Sequence, residues 1–221
     1  SAINFFSLEG VVRYTQEIGL LLIWVFSIVI GVTNGARQIP GELQRRTILP
    51  LLAKPLKRSE LVLGKFAGSA VAAGLALILF YACYIVLSGI KTGVWVTPAL
   101  VQALALHLAF VALVTALAVC GSMVLTPSAN ITICMLIATG MLLFGQQLPA
   151  FAMNAATPLN ALVWGAHFVL PHFEFFDMRL QLIHGWEPLP VWVLAAVLAY
   201  AAVYSAALLG AGVLLFKRKR L

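Results

Sequence analysis

Five stretches of mostly apolar residues constrain the fold of this chain more than any other feature. A helix needs about 20 apolar residues to cross a hydrocarbon core of about 30 Å, so each stretch is long enough to span a membrane. Of the 221 residues, 62% are hydrophobic and only 10% are charged, which is more apolar surface than a soluble domain buries. Open sheets leave backbone groups unsatisfied in lipid, so we expect an all-α polytopic membrane protein built as a helical bundle. The five predicted spans are residues 15–33, 61–87, 99–125, 128–148 and 191–216.

The basic residues are distributed unevenly between the two sides of the predicted bundle. Seven of the 14 Lys and Arg residues lie between Arg37 and Lys65, and four more lie at residues 217–220. The positive-inside rule places both regions in the cytoplasm. This topology accounts for the net charge of +7, so we expect no nucleic-acid partner. A cytoplasmic C-terminus after five spans would place Ser1 outside, and we therefore expect a sixth span before Ser1.

No internal repeat or linker divides the chain, so we expect one transmembrane domain, residues 1–221, with two non-spanning segments. The first, residues 35–60, is cytoplasmic and is named the basic segment here. The second, residues 149–190, follows the fourth span and is expected outside. Its apolar run at 160–170 is too short to span, which predicts an interfacial or re-entrant helix; a cap on the bundle is favoured over a ligand-binding lid. Six aromatic residues of this segment suit the headgroup level: Trp164, Phe168, Phe173, Phe175, Phe176 and Trp186.

Within the basic segment the pattern predicts a short amphipathic helix. Pro40 and Gly41 would precede it, and Glu42 would occupy the first turn, where the helix dipole favours an acid. Pro55 would end this helix, and Ser59 is a candidate N-cap for the second span. Periodicity alone fits both an interfacial helix on anionic headgroups and a protein-docking element. The apolar face of the predicted helix comprises Leu43, Ile48, Leu51 and Leu52.

The chain contains none of the motifs that we sought for hydrolytic chemistry. It lacks the G-x-x-x-x-G-K-S/T phosphate loop, H-E-x-x-H and G-x-S-x-G, so we expect a non-catalytic chain. Four potential metal ligands cluster within the second non-spanning segment, but their spacing fits no defined site, so we expect no bound metal. These residues are His172, Glu174, Asp177 and His184.

Three polar residues of the predicted spans are candidates for a substrate path. Gln102 and His107 lie on the third span, and Gln146 lies near the end of the fourth. Interhelical hydrogen bonding is the favoured role of each, and contact with a substrate is the alternative. Apart from Glu17, near the outer end of the first span, the spans contain no acids. This scarcity argues against a proton- or sodium-driven secondary transporter.

An ordered set of residues runs through the basic segment into the second span: Glu42, Arg46, Thr47, Ile48, Leu51, Leu52, Ala53, Lys54, Pro55, Lys57, Arg58, Leu63, Gly64 and Lys65. This run resembles the coupling helix of permeases from ATP-binding-cassette (ABC) type-2 exporters. The LPHFEFFD stretch at residues 170–177 and the final span with its basic tail resemble the same family, so the resemblance covers nearly the whole chain. It implies a fold of six spans with a long outer loop after the first. Pro50 departs from the family pattern and is expected to kink the segment.

The resemblance implies that the chain is the transmembrane permease subunit of an ATP-driven exporter in a bacterial-type inner membrane. The implied partners are a second permease copy or homologue and cytoplasmic ABC ATPase subunits, which would hold ATP and Mg²⁺; the chain itself would bind no cofactor. A stand-alone secondary transporter, which would require Glu17 or His107, and a membrane anchor or assembly factor stay open as alternatives. The implied ATPase-coupling residues are Glu42, Leu43, Arg45, Arg46, Thr47, Ile48, Leu51, Leu52, Lys54, Pro55 and Arg58.

Overall fold

The computed structural model describes residues 8–44, 57–154, 156 and 158–218, and within these ranges the chain forms helices and no strand. Five of the helical segments are long and apolar enough to cross a membrane, which confirms the prediction of an all-α polytopic fold. The helices of the described ranges are α1 (Leu8–Gln44), α2 (Arg58–Thr92), α3 (Pro98–Gly121), α4 (Pro127–Phe144), α5 (Leu148–Asn154), α6 (Leu159–Val169), α7 (Arg179–His184) and α8 (Val191–Arg218), with 3₁₀ turns at Gly145–Gln147 and Phe173–Phe176.

Helix α3 lies at the centre of the bundle. It packs against α1, α2, α4 and α8, and 61% of its spanning window is buried. The corresponding fractions are 17% for α2 and 11% for α8. The mean hydropathy of α2 equals that of α3 at 2.4, and that of α8 is 2.0, so most of the apolar surface of these two outer helices is left to face lipid or another chain.

Local signals set the ends of the helices around the α2–α3 connection. Gly93 follows α2 with φ of 72°, a left-handed conformation that favours glycine. Helix α3 then begins with Pro98, and the Thr97 hydroxyl accepts a hydrogen bond from the Leu100 N–H at 3.2 Å. The connection is therefore short, and α2 and α3 are adjacent in the bundle.

Helix α3 ends before residue 125, where the third span was predicted to end. The Asn130 side chain of α4 donates a hydrogen bond to the Ala118 carbonyl oxygen at 2.8 Å. A Cβ on Gly121 would lie 2.1 Å from Asn130 Oδ1, so a glycine is needed for this close approach. The residues after Gly121 are mostly apolar as well, which is why apolar length alone overestimates the helix.

Helix α1 extends into the basic segment as one continuous helix. The prediction that Pro40 and Gly41 precede a separate helix, with Glu42 in its first turn, is therefore wrong, because all three belong to the last turns of α1. Proline forfeits one backbone hydrogen bond, but its fixed φ is compatible with a helix, so α1 can continue to Gln44.

Helix α2 begins at Arg58, before the predicted N-cap Ser59. Lys57 occupies the N-cap position instead, and its N–H donates to Glu60 Oε2 at 3.1 Å. An acid in the first turn also interacts favourably with the positive end of the helix dipole. The prediction for Ser59 is therefore wrong, because Glu60 satisfies the N–H of a residue that precedes Ser59.

Residues 149–190, named the cap segment here, contain α6 and α7 and most of α5. Helix α6 (Leu159–Val169) lies where the short apolar helix was predicted, and none of its residues is buried. Its position relative to a membrane surface stays a prediction.

Two of the six aromatic residues predicted for the headgroup level lie in the protein core instead. Phe173 and Phe176 are 0% and 1% exposed, and their ring centroids lie 5.2 and 6.2 Å from that of Phe110 on α3. Residues three apart in a 3₁₀ turn lie on the same side, so these two rings point inward together. Phe175, between them, is half exposed.

Candidate functional site

His107 is the centre of a hydrogen-bonded cluster that joins three long helices. Its ring is completely buried on α3. The imidazole Nε2 lies 2.7 Å from Ser27 Oγ of α1, and Nδ1 lies 3.2 Å from the Tyr81 hydroxyl of α2. We name Trp24, Ser27, Tyr81 and His107 the polar centre.

The hydrogen bonds of the polar centre are mutually consistent for a neutral histidine. The Ser27 hydroxyl donates its one proton to the Trp24 carbonyl oxygen at 2.9 Å, so Ser27 Oγ must accept from His107 Nε2–H. His107 Nδ1 then accepts from the Tyr81 hydroxyl. Each of these buried polar groups has a partner, which avoids the cost of an unsatisfied group in the core.

The cap segment reaches the polar centre through Arg179 on α7. The Trp24 indole stacks on His107 with ring centroids 4.2 Å apart, and the Arg179 guanidinium carbon lies 5.5 Å from the centroid of the same indole. Asp177 Oδ2 accepts from Arg179 Nη2 at 2.7 Å and fixes the guanidinium. A cation over an indole face is attracted by the ring quadrupole, so this contact stabilises the packing of the cap segment on α1.

Side chains of the long helices make hydrogen bonds to the backbone of the cap segment, near its middle and at its C-terminal end. Gln102 Nε2 donates to the Leu189 carbonyl oxygen at 2.9 Å, and its Oε1 accepts from the Leu189 N–H at 2.8 Å. On α8, the Tyr200 hydroxyl accepts from the His172 N–H at 2.9 Å. The Tyr204 hydroxyl donates to the Val169 carbonyl oxygen. The cap segment is thus tied to both α3 and α8.

Glu174 is the one buried acid among the described residues, with 9% of its surface exposed and no hydrogen-bond partner on Oε2. Its carboxylate packs on Gly145, at the turn after α4, and a Cβ at that glycine would lie 2.4 Å from Oε2. The contact places the cap segment against the end of α4 and requires glycine at position 145.

Comparison with the sequence profiles of protein families identifies the family of this chain. The sequence profile described as ABC-2 family transporter protein matches residues 4–221. This chain belongs to the ABC-2 transporter family. No curated protein sequence matches it. The match confirms the resemblance drawn from the basic segment, and it identifies the chain as a multi-pass membrane permease component of an ABC transporter.

The three predicted substrate-path residues lie at three different places in the ABC-2 permease. His107 is at the polar centre, and Gln102 holds Leu189 of the cap segment. Gln146 is exposed in the 3₁₀ turn after α4. The first two make the interhelical or cap contacts that polar residues in spans favour. Substrate contact by these residues stays a prediction.

Only part of the predicted coupling element of the ABC-2 permease lies within the described residues. Glu42 and Leu43 are in the last turn of α1, and Arg58 is the first residue of α2. Pro50 and most of the coupling residues lie outside the described ranges: Arg45, Arg46, Thr47, Ile48, Leu51, Leu52, Lys54 and Pro55.

The four potential metal ligands of the cap segment have other contacts. Asp177 pairs with Arg179, and the His172 ring stacks on Phe175 with centroids 5.3 Å apart. His184 Nδ1–H donates to the Leu180 carbonyl oxygen at 2.9 Å. Within the described ranges, no group of three or more His, Cys, Asp or Glu residues could hold a metal ion.

Sequence patterns did not indicate the partners of His107. Ser27, Tyr81 and Trp24 are isolated polar or amphipathic residues in otherwise apolar spans. A polar residue in a span predicts a buried partner, but it does not identify the helix that provides one. The sequence did not single out Arg179 as a functional residue, because a basic residue in a non-spanning segment is ordinarily solvated.

Proposed function

We propose that this ABC-2 permease pairs with a second copy of itself, or with a homologous permease, to form the translocation path of an ATP-driven exporter. Separate cytoplasmic ABC ATPase subunits would bind ATP and Mg²⁺ and hydrolyse the nucleotide. The permease itself would bind no cofactor. The distribution of basic residues supports an inner-membrane location with the basic segment and the C-terminus in the cytoplasm.

The observation that carries the proposal is the continuity of α1. Trp24 and Ser27 of the polar centre belong to the same helix as Gln44, inside the basic segment. At 1.5 Å per residue, Ser27 and Gln44 are about 25 Å apart along the helix axis. A displacement of the basic segment would therefore be transmitted along one element to His107.

In the proposed mechanism, closure of the ATPase subunits pushes the part of the basic segment from Glu42 to Pro55. Helices α1 and α2 tilt, and the stack of Trp24 on His107 moves relative to Arg179 of the cap segment. The cap segment then loses its contacts with the long helices and opens a path between the two permeases. Coupling between binding equilibria is reciprocal, so a substrate that binds more tightly after the cap segment has moved would favour closure of the ATPase subunits.

The side chains of the basic segment divide into two roles in this proposal. Apolar residues would fill a groove on the ATPase: Leu43, Ile48, Leu51 and Leu52. Basic residues would set the orientation of docking: Arg45, Arg46 and Lys54.

The test is co-purification of the permease from its native membrane, followed by assay of ATP hydrolysis in the reconstituted complex. Leu51→Asp should weaken ATPase binding by about tenfold or more, because it buries an unpaired charge in an apolar contact. Arg46→Ala should lower the stimulation of ATP hydrolysis by substrate. Arg13→Ala, an exposed residue near the other end of α1, is the matched control and should behave as wild type.

Three other outcomes would contradict the proposal, and the first two would each indicate a different function. Transport without any ATPase, abolished by Glu17→Gln, would identify a secondary transporter. Recruitment of cytoplasmic proteins with no ATP-dependent transport would identify an anchor or assembly factor. Retention of full coupling by both basic-segment variants would also contradict the proposal.

A further inference from the structure

Two cavities of different chemistry adjoin each other near the Thr92 end of α2. The first is an apolar groove of about 310 Å³ between α1 and α2. The second is a more polar cavity of about 220 Å³, lined by residues of α1, α2, α3, α7 and the α2–α3 connection. Gln16, Tyr84 and Ser88 line both cavities, so the two lie side by side.

The groove has the shape and lining of a site for a hydrocarbon chain. Gly19 faces the Tyr84 ring, and a Cβ there would lie 3.4 Å from that ring, in ordinary van der Waals contact. Ile18, Leu22 and Leu87 on its walls are each at least 40% exposed, so the groove opens toward the surrounding lipid. Lys91 lies on α2 one turn beyond Leu87 and is the one charged residue that lines the groove in the described part of the chain.

The adjoining cavity presents hydrogen-bonding groups without a charge. Gln16 Nε2 donates to Ser88 Oγ at 3.0 Å, and the Thr92 hydroxyl donates to the Ser88 carbonyl oxygen at 2.9 Å. The amide and hydroxyl groups retain lone pairs and protons for further partners. Its remaining polar lining residues are Tyr84, Trp95 and Thr97.

The aromatic residues place this site at the boundary between hydrocarbon and headgroups. Trp95 is 54% exposed in the connection after α2, and Tyr84 lies about two turns before the end of that helix. Tyr and Trp concentrate at that depth because their rings are amphipathic. A ligand there would have its chain in the groove and its head group beside Lys91 and the polar cavity.

We propose that the two cavities form one binding site for an anionic phospholipid whose head group carries hydroxyls. The acyl chain occupies the groove between α1 and α2, the phosphate lies beside the Lys91 ammonium, and the head-group hydroxyls bond to Gln16, Ser88 and Thr92. Among the residues that the structure describes, no carboxylate lines either cavity to oppose the phosphate. An apolar helix of a second chain would leave the polar cavity without partners, so a lipid fits the lining better. The site needs no ATPase and is independent of the transport proposal.

The test is native mass spectrometry of the purified full chain, titrated with phosphatidylglycerol or with phosphatidylcholine. We expect one phosphatidylglycerol per chain to be retained at activation energies that remove phosphatidylcholine. Lys91→Glu should weaken this retention by about fivefold or more, since one lysine near a membrane surface contributes about that factor for an anionic lipid. Gln16→Leu should lower the preference for phosphatidylglycerol and leave phosphatidylcholine binding unchanged.

The matched control is Lys57→Glu, which makes the same charge change at an exposed position at the opposite end of α2. It should retain the tightly bound lipid. Equal retention of both lipids by the wild type, or equal losses in Lys91→Glu and Lys57→Glu, would overturn the proposal. If Lys91→Glu fails to fold, Lys91→Gln replaces it, with the thermal midpoint as the check.

A second measurement locates the acyl chain independently of any variant. Phosphatidylglycerol with a diazirine in its acyl chain should crosslink to peptides that contain Leu22 or Leu87. The chain has another apolar groove, of about 830 Å³, beside Val213 on α8. Crosslinks confined to that groove would overturn the assignment.

Discussion

The imidazole of His107 lies against the indole of Trp24, with ring centroids 4.2 Å apart and an interplanar angle of 21°. The contact joins α3 to α1, and the Arg179 guanidinium of the cap segment lies over the same indole. Because α1 continues to Gln44, this stack connects the helix that enters the basic segment with the segment that covers the other end of the bundle.

Loss of the Ser27 hydroxyl should cost more stability than loss of the Ser69 hydroxyl. Both serines are 2% exposed and both donate to a carbonyl oxygen of their own helix, but only Ser27 also accepts from His107 on another helix. Ser27→Ala should lower the free energy of unfolding by about 1 kcal/mol, and Ser69→Ala by a few tenths. Reversible unfolding in mixed micelles measures both. Equal changes would show that the polar centre adds no stability.

A methyl group at position 145 should displace the Glu174 carboxylate from its contact with the turn after α4. The added Cβ would lie 2.4 Å from the carboxylate, so Gly145→Ala should destabilise the protein by about 1–3 kcal/mol. Truncation by Glu174→Ala removes the clash, so the double variant should lose less than the sum of the two single variants. Gly140→Ala is the control, because open space surrounds that glycine in α4 and alanine favours the helix. Additive effects of the first two changes would contradict the contact.

The two hydrogen bonds between Gln102 and Leu189 should protect the backbone amide of Leu189 from hydrogen exchange. That N–H donates to Gln102 Oε1 at 2.8 Å, and Gln102→Leu removes the acceptor while keeping most of the side-chain volume. Exchange of the peptide containing Leu189 should accelerate by about tenfold, as expected when about 1.4 kcal/mol of local stability is lost. Gln146→Leu, at an exposed glutamine, should leave this peptide unchanged. Unaltered exchange in Gln102→Leu would show that other contacts hold the loop.

The two non-spanning segments should be accessible from opposite sides of the membrane. Lys57 and Trp186 are both exposed, so Lys57→Cys and Trp186→Cys can each be labelled in a background without the native Cys83, Cys120 and Cys134. A membrane-impermeant maleimide should label position 186 in intact cells and position 57 only in inverted vesicles, as the positive-inside rule requires. Labelling of both positions from one side would refute the predicted topology.

Apolar length predicts the five spanning helices well, because burial in lipid is a property of each segment alone. It predicts their ends less well. Helix α3 ends early where Asn130 of another helix bonds to Ala118, and α1 continues through Pro40. Hydropathy does not describe the hydrogen bonds of individual backbone groups, and the end of a helix depends on those groups.

Polar residues in apolar spans predict contacts without identifying their partners. Gln102 and His107 stand out in the sequence for this reason, and both make contacts beyond their own helix. Their partners are Ser27, Tyr81 and the backbone of Leu189. The rotation of each helix about its axis decides which side chains meet, and that rotation is set by packing among all the helices.

The membrane environment, the helical class and the family of this protein all follow from its order of residues. Apolar length and clusters of basic residues are local properties of the sequence. The family resemblance of the run from Glu42 to Lys65 depends only on the order of its residues. The tertiary structure alone brings together the polar centre, the inward rings of the cap segment and the seat of Glu174 on Gly145. These contacts join residues far apart in the chain, and they form only when packing brings separate helices within a few ångströms of one another.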